Sequence, residues 1–198
     1  MSARILVIAC GALAREIKQL KQLNAWDYLD LYCLDAELHN RPHLIPARLQ
    51  AAIQAKRSDY SKLFAAYADC GTGGLIDQVL LAEGVERLPG AHCYAFFAGL
   101  DVFEQLAEEE SGSFYLTDFL ARHFERLVVQ ALKLNRYPAL KDELFRHYRR
   151  LVYLSQTENT ELFKVAQAAA DYLGLEFKHV HTGYGLLESR LNEQLFAL

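Results

Sequence analysis

Ile5-Leu6-Val7-Ile8-Ala9-Cys10-Gly11 is a continuously apolar run, rich in β-branched residues, that stops at a small-residue pair. An apolar stretch of this length without alternation is the signature of a strand buried on both faces, as in a parallel sheet covered by helices. Immediately after it, Leu13, Ile17, Leu20 and Leu23 recur at helical spacing between Ala12 and Leu23. The opening therefore reads as strand, tight turn and helix.

The same grammar returns along the chain. Tyr28 to Leu34 predicts a second strand, followed by the polar stretch Asp35 to Pro42 and a helix near Ile45 to Lys56 carrying Leu49 and Ile53. Leu63 to Ala68 predicts a third strand, and Asp69-Cys70-Gly71-Thr72-Gly73-Gly74 leads into a helix from about Leu75 to Glu83. A fourth strand is expected around His92 to Phe97, closed by Gly99. From Asp101 to Tyr148 the chain reads as mostly helical, with breaks at Ser111-Gly112 and Pro138. Thr117 is placed as the N-cap of a helix running to Leu134. Leu151 to Ser155 is a fifth strand, Glu158 to Leu173 a helix closed by Gly174, Glu176 to His181 a sixth strand, and Leu186 to Phe196 a last helix. Alternation of this kind predicts a three-layer α/β fold of the Rossmann-like type, a largely parallel sheet with helices on both faces. No linker or low-complexity tract interrupts it, so residues 1–198 are expected to form a single α/β domain.

Composition narrows the function. The 198 residues are 52% hydrophobic and 23% charged, with a formal net charge of −4, which provides no broad cationic surface for nucleic acid. The opening apolar run is too short to cross a bilayer and reads as a strand rather than an export signal, so a cytoplasmic location and no membrane partner are expected. In that compartment thiols stay reduced, and the four cysteines are core residues, metal ligands or reactive groups rather than a disulfide framework. A small-molecule substrate is the expected partner.

Ligands of open parallel sheets bind outside the carboxyl ends of the strands. Cys10 ends the first strand, Cys70 follows the third, and Cys93 lies in or just before the expected fourth. If these strands are neighbours, the three sulfurs converge as ligands for zinc or iron, or for an iron–sulfur cluster with an exchangeable position. Cys10 and Cys70 also precede helix N-termini, where the dipole favours the thiolate. The competing explanation is core packing, because free cysteine is among the most buried residue types and no CxxC or HExxH pattern is present. Cys33 is assigned to the core. His39, in the loop after the second strand, and His92, beside Cys93, are candidates for proton transfer; in a strand, His92 and Cys93 would face opposite ways. His43 shares the His39 loop. Gly71, Thr72 and Gly73 are candidates for cradling an anion through backbone N–H groups at a helix start, although no P-loop or GxGxxG pattern is present. Farther on, His181, Thr182 and Tyr184 are pocket candidates, with Tyr153, Gln156 and Asn159 on the same rim.

The opening strand with Cys10-Gly11, together with Leu38-His39-Asn40-Arg41-Pro42, Asp69-Cys70-Gly71, Pro89-Gly90-Ala91-His92-Cys93-Tyr94, Phe97-Ala98-Gly99 and Leu116-Thr117-Asp118, forms a pattern over nearly the whole chain. It resembles an uncharacterised bacterial and archaeal family of domains of unknown function, often encoded beside corrinoid-dependent methyltransferase genes. That family has no established activity to transfer. The resemblance implies a setting in one-carbon metabolism, methylated-compound use or corrinoid handling, with a protein partner from a methyl-transfer system. It also places His39, Cys70, His92 and Cys93 inside recurrent motifs, as a metal site would require. A DxHxxG cobalamin motif is absent. Three functions remain open on these grounds: a metal-dependent enzyme, a non-catalytic metal or cofactor carrier serving a methyltransferase system, and a metal-free enzyme with a cysteine nucleophile.

Overall fold

In the computed structural model, which describes residues 4–88 and 90–196, the chain forms two compact units. The first takes the chain up to Phe96 and again from Leu186; the second runs from Phe97 to Gly185.

The first unit begins with β1 (Ile5–Cys10), a 3-10 turn at Gly11–Leu13 and α1 (Ala14–Leu23). It continues through β2 (Leu29–Leu34), 3-10 turns at Ala36–Asn40 and Pro42–Leu44, α2 (Ile45–Lys56), β3 (Lys62–Ala66), α3 (Leu75–Glu83), β4 (Glu86–Arg87) and the start of α4 (Tyr94–Ala98). All pairings are parallel, in the order β2-β1-β3-β4, and β1 is central, with Ile5 opposite both Leu29 and Lys62. Every residue of β1 is buried, which is why its sequence shows no alternation. The crossover from β1 to β2 runs one way across the sheet and that from β2 to β3 the other. With right-handed connections, α1 lies on one face and α2 and α3 on the opposite one. α2 packs on α3, and the side chains of Gln50, Gln54 and Arg57 converge on Glu83. Because the chain leaves β1 and β3 in opposite directions, a crevice opens at their carboxyl ends, the topological switch point of such sheets.

The second unit contains α5 (Leu100–Glu109), β5 (Ser113–Thr117), α6 (Asp118–Arg122), a π-type turn at Glu125–Gln130, α7 (Ala139–Phe145), β6 (Arg150–Ser155), α8 (Thr160–Leu173) and β7 (Glu176–His181). Its sheet is parallel in the order β5-β6-β7. Leu116, Leu151 and Tyr153 face a core completed by Phe124, Val128, Leu162 and Ala166. Tyr115 points to the other face, where its ring meets Phe103 of α5 at 4.9 Å. Helices therefore cover both faces here too. The last helix, α9 (Gly185–Phe196), belongs to the first unit from Leu186, and Glu188 on it accepts a hydrogen bond from Asn24 at 3.2 Å. No helix among the described residues is long and apolar enough to cross a membrane.

The α/β class and parallel strands agree with the sequence reading, but the strands divide between two sheets, and two elements differ. The stretch expected to form a strand from His92 to Phe97 is helical: the N–H groups of Ala95 and Phe96 donate to the carbonyls of His92 and Cys93, and α4 follows. Its aromatic residues suit a strand by propensity, yet Ala95, Phe96 and Phe97 are buried in succession, as a packed helical turn allows. The fourth strand of this sheet is instead the two-residue β4. Conversely, β5 lies within the region expected to be helical, where Ser111-Gly112 marks the entry to a strand rather than a break between helices. Thr117 does cap α6, accepting from the N–H of Leu120, but that helix ends at Arg122. Cys33, assigned to the core, is exposed because β2 is an edge strand.

Gly11 matters for packing at the switch point. A Cβ there would lie 2.9 Å from the Leu34 carbonyl oxygen and 3.2 Å from the Ala36 nitrogen, both backbone atoms that move only with the end of β2. Gly11→Ala is expected to destabilise the protein by about 1–3 kcal/mol in urea unfolding, the usual cost of overpacking.

Candidate metal centre

Cys10 closes β1 as the N-cap of the Gly11–Leu13 turn, its Sγ accepting from the N–H of Ala12 at 3.3 Å. The polar stretch after β2 is folded by Asp35, whose carboxylate accepts from the N–H of Glu37 at 2.9 Å and starts the 3-10 turn that carries His39. His39 as a residue is exposed, but its Nδ1 turns inward, 3.2 Å from the Ala36 carbonyl oxygen and 3.6 Å from Sγ of Cys10. With its proton on Nδ1, the ring donates toward these acceptors and leaves Nε2 for an ion, the usual orientation of a ligating histidine.

The other two thiols are brought together by loop pairing. After β3, the N–H of Asp69 donates to the Gly90 carbonyl at 3.2 Å and the N–H of Cys70 to the Ala91 carbonyl at 3.0 Å. Arg87 anchors the same loop: its guanidinium grips both carboxylate oxygens of Asp77 and donates to the carbonyls of Leu88 and Gly90. Cys93 thereby reaches Cys70, with 3.6 Å between sulfurs. Cys70 has φ +52°, a left-handed conformation costly for a residue with a Cβ. The turn that enforces it is tied by Asp69, whose carboxylate accepts from the Thr72 hydroxyl at 2.6 Å and from the N–H groups of Gly74 and Gly73 at 2.8 and 3.2 Å.

His39, Cys70 and Cys93 present ligand atoms that all lie within 4.8 Å of one another. The expected trio of sulfurs is thus replaced by two sulfurs and an imidazole, with Cys10 beside the imidazole and outside this mutually close set. His92 lies on the approach to α4, exposed, with its ring 6.4 Å from that of Tyr94, and is not in the set either. His43 is exposed in the following turn. The backbone N–H groups of Gly73 and Gly74 already serve the carboxylate of Asp69, which occupies the position an external anion would take beside Gly71, Thr72 and Gly73.

One participant was not visible in the sequence reading. Tyr67, just past β3, is fully buried, and its hydroxyl has the Cys10 thiol as its hydrogen-bonding neighbour. Burial first, and then the negative charge available on Cys10, Cys70 and Cys93, hold that hydroxyl well above its ordinary pKa. A tyrosine following a buried strand reads as core by pattern; only its neighbour Cys10 distinguishes it.

The electrostatics are those of a cluster that lacks positive charge. The contact with Cys93, and then burial, raise the Cys70 thiol far above its usual pKa. Burial opposes charge on His39, but hydrogen bonds to Cys10 and Cys70 outweigh it and push its pKa up to about 11. A proton on His39 acts as the available cation, and ionisation of Cys70 is favoured by positive charge beside it.

The remaining candidates lie in the second unit. Asp118 is buried and accepts from the Tyr153 hydroxyl at 2.7 Å, the N–H groups of Gln156 and Thr157 at 3.1 Å each, and the Thr157 hydroxyl at 2.5 Å. Asn159 caps α8 by accepting from the N–H of Leu162. His181 and His179 flank the buried Ser155 hydroxyl at 3.0 and 2.9 Å, and Thr182 donates to the Ser155 carbonyl. Tyr184 is half-buried at the start of the turn into α9. These groups satisfy one another and tie the carboxyl ends of β5, β6 and β7.

The Asp69 turn provides a pH test. The Thr72 hydroxyl and then the Gly74 and Gly73 N–H groups, against partial burial, hold the Asp69 carboxyl below the usual carboxylate range. A depressed folded-state pKa stabilises above the unfolded value of about 3.9 and ceases to do so as pH falls through the folded value. The thermal stability advantage of the native protein over Asp69→Asn should therefore be complete above about pH 4 and close below it.

No curated protein and no solved structure matches the chain. A family profile does, over residues 33–191, a stretch that includes His39, Cys70 and Cys93 but not Cys10. The match covers more than half of the chain, which therefore belongs to the family of proteins of unknown function designated DUF1638.

Proposed function

We propose that this protein is a metal-dependent enzyme acting on a small molecule, with a single zinc or iron ion held by His39, Cys70 and Cys93. The reading is carried by the close approach of those three ligand atoms at the switch-point crevice. Around a tetrahedral ion with bonds of about 2.3 Å, two sulfurs stand about 3.8 Å apart. The 3.6 Å between Cys70 and Cys93 needs little adjustment to meet that geometry. Two thiolates make a soft donor set suited to zinc or iron rather than magnesium or calcium. Three protein ligands leave a fourth position for substrate, the arrangement of catalytic rather than structural zinc sites.

A metal-free cysteine nucleophile has less support, because the surroundings raise the Cys70 thiol, whereas an activated nucleophile needs a lowered pKa. Cys10 accepts beside Nδ1 of His39 and acts as the outer partner that orients the ring. A setting in one-carbon or methylated-compound metabolism, with a protein partner in methyl transfer, is part of the proposal and rests on the family resemblance alone.

Protein purified without a metal-affinity tag should contain close to one equivalent of zinc or iron by elemental analysis. Cys70→Ser, Cys93→Ser and His39→Ala should each abolish that content, while Cys33→Ser leaves it intact. Cys10→Ser should lower affinity by about ten- to a hundredfold, as loss of an outer partner does. Metal-free protein with Cys70 and Cys93 freely titratable would overturn the reading.

A further inference from the structure

Cys70 and Cys93 are a pair of facing thiols as well as two ligands. Their sulfurs lie 3.6 Å apart although the residues are 23 positions apart in the chain, and both residues are only half-buried, which leaves them open to a small solute. Cys10 is buried and outside the mutually close set, and Cys33 is exposed on the edge strand β2. A disulfide needs its sulfurs at about 2.05 Å, about 1.5 Å nearer than these two stand. Cys93 precedes α4 and lies on no strand, so its segment supplies that movement, while Cys70 is fixed by the turn that Asp69 winds.

We propose that Cys70 and Cys93 form a redox switch on the metal centre: a peroxide links the two sulfurs as a disulfide, the ion leaves, and a dithiol reductant restores the site. This inference rests on the metal-centre reading above and adds its regulation. A coordinated thiol is held deprotonated, so the occupied centre presents both sulfurs as thiolates, the form that peroxide oxidises. One thiolate attacks a peroxide oxygen; the O–O bond breaks, hydroxide departs and a sulfenic acid remains. The second thiolate attacks that sulfur; the S–O bond breaks, the S–S bond forms and a second hydroxide departs. Two electrons pass from the sulfurs to the peroxide, both hydroxides take protons from solvent, and the ion leaves as a divalent cation. A sulfenic acid with a thiolate beside it is resolved before more peroxide carries it to the irreversible sulfinic acid. Disulfide and ion exclude each other, because the disulfide consumes two of the three ligands and leaves His39 alone.

The test uses the full chain loaded with zinc and treated with hydrogen peroxide, with released zinc followed by a chromogenic chelator and thiols counted after denaturation. The reaction should consume two of the four thiols and release about one equivalent of zinc. Peptide mapping should find Cys70 linked to Cys93. Dithiothreitol followed by zinc should restore all four thiols and the metal content. Cys33→Ser should respond in the same way with one thiol fewer, whereas Cys93→Ser should lose the reversible consumption of a thiol pair. If the chain takes up no zinc, the metal centre falls and the switch falls with it. If zinc binds but peroxide releases none of it, releases it with Cys70 and Cys93 unlinked, or still consumes a thiol pair reversibly in Cys93→Ser, the metal centre stands and the switch falls. Should Cys93→Ser not fold, the peptide map and zinc release of the native chain decide alone.

Discussion

Two backbone hydrogen bonds, from Asp69 to Gly90 and from Cys70 to Ala91, hold the candidate centre together. They join the loop after β3 to the loop after β4, and without them Cys93, which lies on no strand, would have no reason to approach Cys70. The Gly90 carbonyl is used twice, by the N–H of Asp69 and by the guanidinium of Arg87. Asp69 is also used twice: its N–H pairs the loops, and its carboxylate winds the glycine turn that forces Cys70 into a left-handed conformation. The strain at Cys70 persists because the surrounding hydrogen bonds over-determine it, and such strain concentrates at functional sites.

The polar clusters in the two units differ in how completely they are satisfied. Around Asp118, donors match the carboxylate lone pairs, and the histidines beside Ser155 have a hydroxyl between them. Such a network rigidifies the strand ends and asks for nothing more. At the first unit's switch point the sums do not close. Cys70 resists ionisation beside Cys93, and His39 is the nearby group that carries positive charge. Soft ligand atoms gathered without a matching positive charge are the physical mark of a place suited to a cation.

Much of the fold was legible because its signals are local. A central parallel strand must be apolar on both faces, so Ile5 to Cys10 announced β1. The αL glycines Gly84 and Gly174 close α3 and α8 where the chain needs φ near +62° and +72°. The helix Leu75–Glu83 and the strand Glu176–His181 fall where periodicity placed them. The aromatic stretch from Tyr94 to Phe97 misled because bulky aromatics favour strands in general and are equally at home in a buried helical turn, and β5 was hidden because five residues are too few to show a period. Neither is a failure of propensity alone; in both, tertiary packing decided between conformations that local sequence leaves close in energy.

By itself, then, the amino-acid sequence determined the α/β class, the parallel strands of the first unit, and the rule that chemistry should gather at their carboxyl ends, where it placed Cys70, Cys93 and His39 among the candidates. Only the tertiary structure decided which of them meet. Membership of the cluster depends on loop-to-loop hydrogen bonds between segments distant in sequence, and the close set that results holds His39 with Cys70 and Cys93 rather than Cys10. Local pattern cannot encode such contacts, because a side chain's neighbours across a sheet edge are set by strand order, and strand order is a property of the whole packed unit.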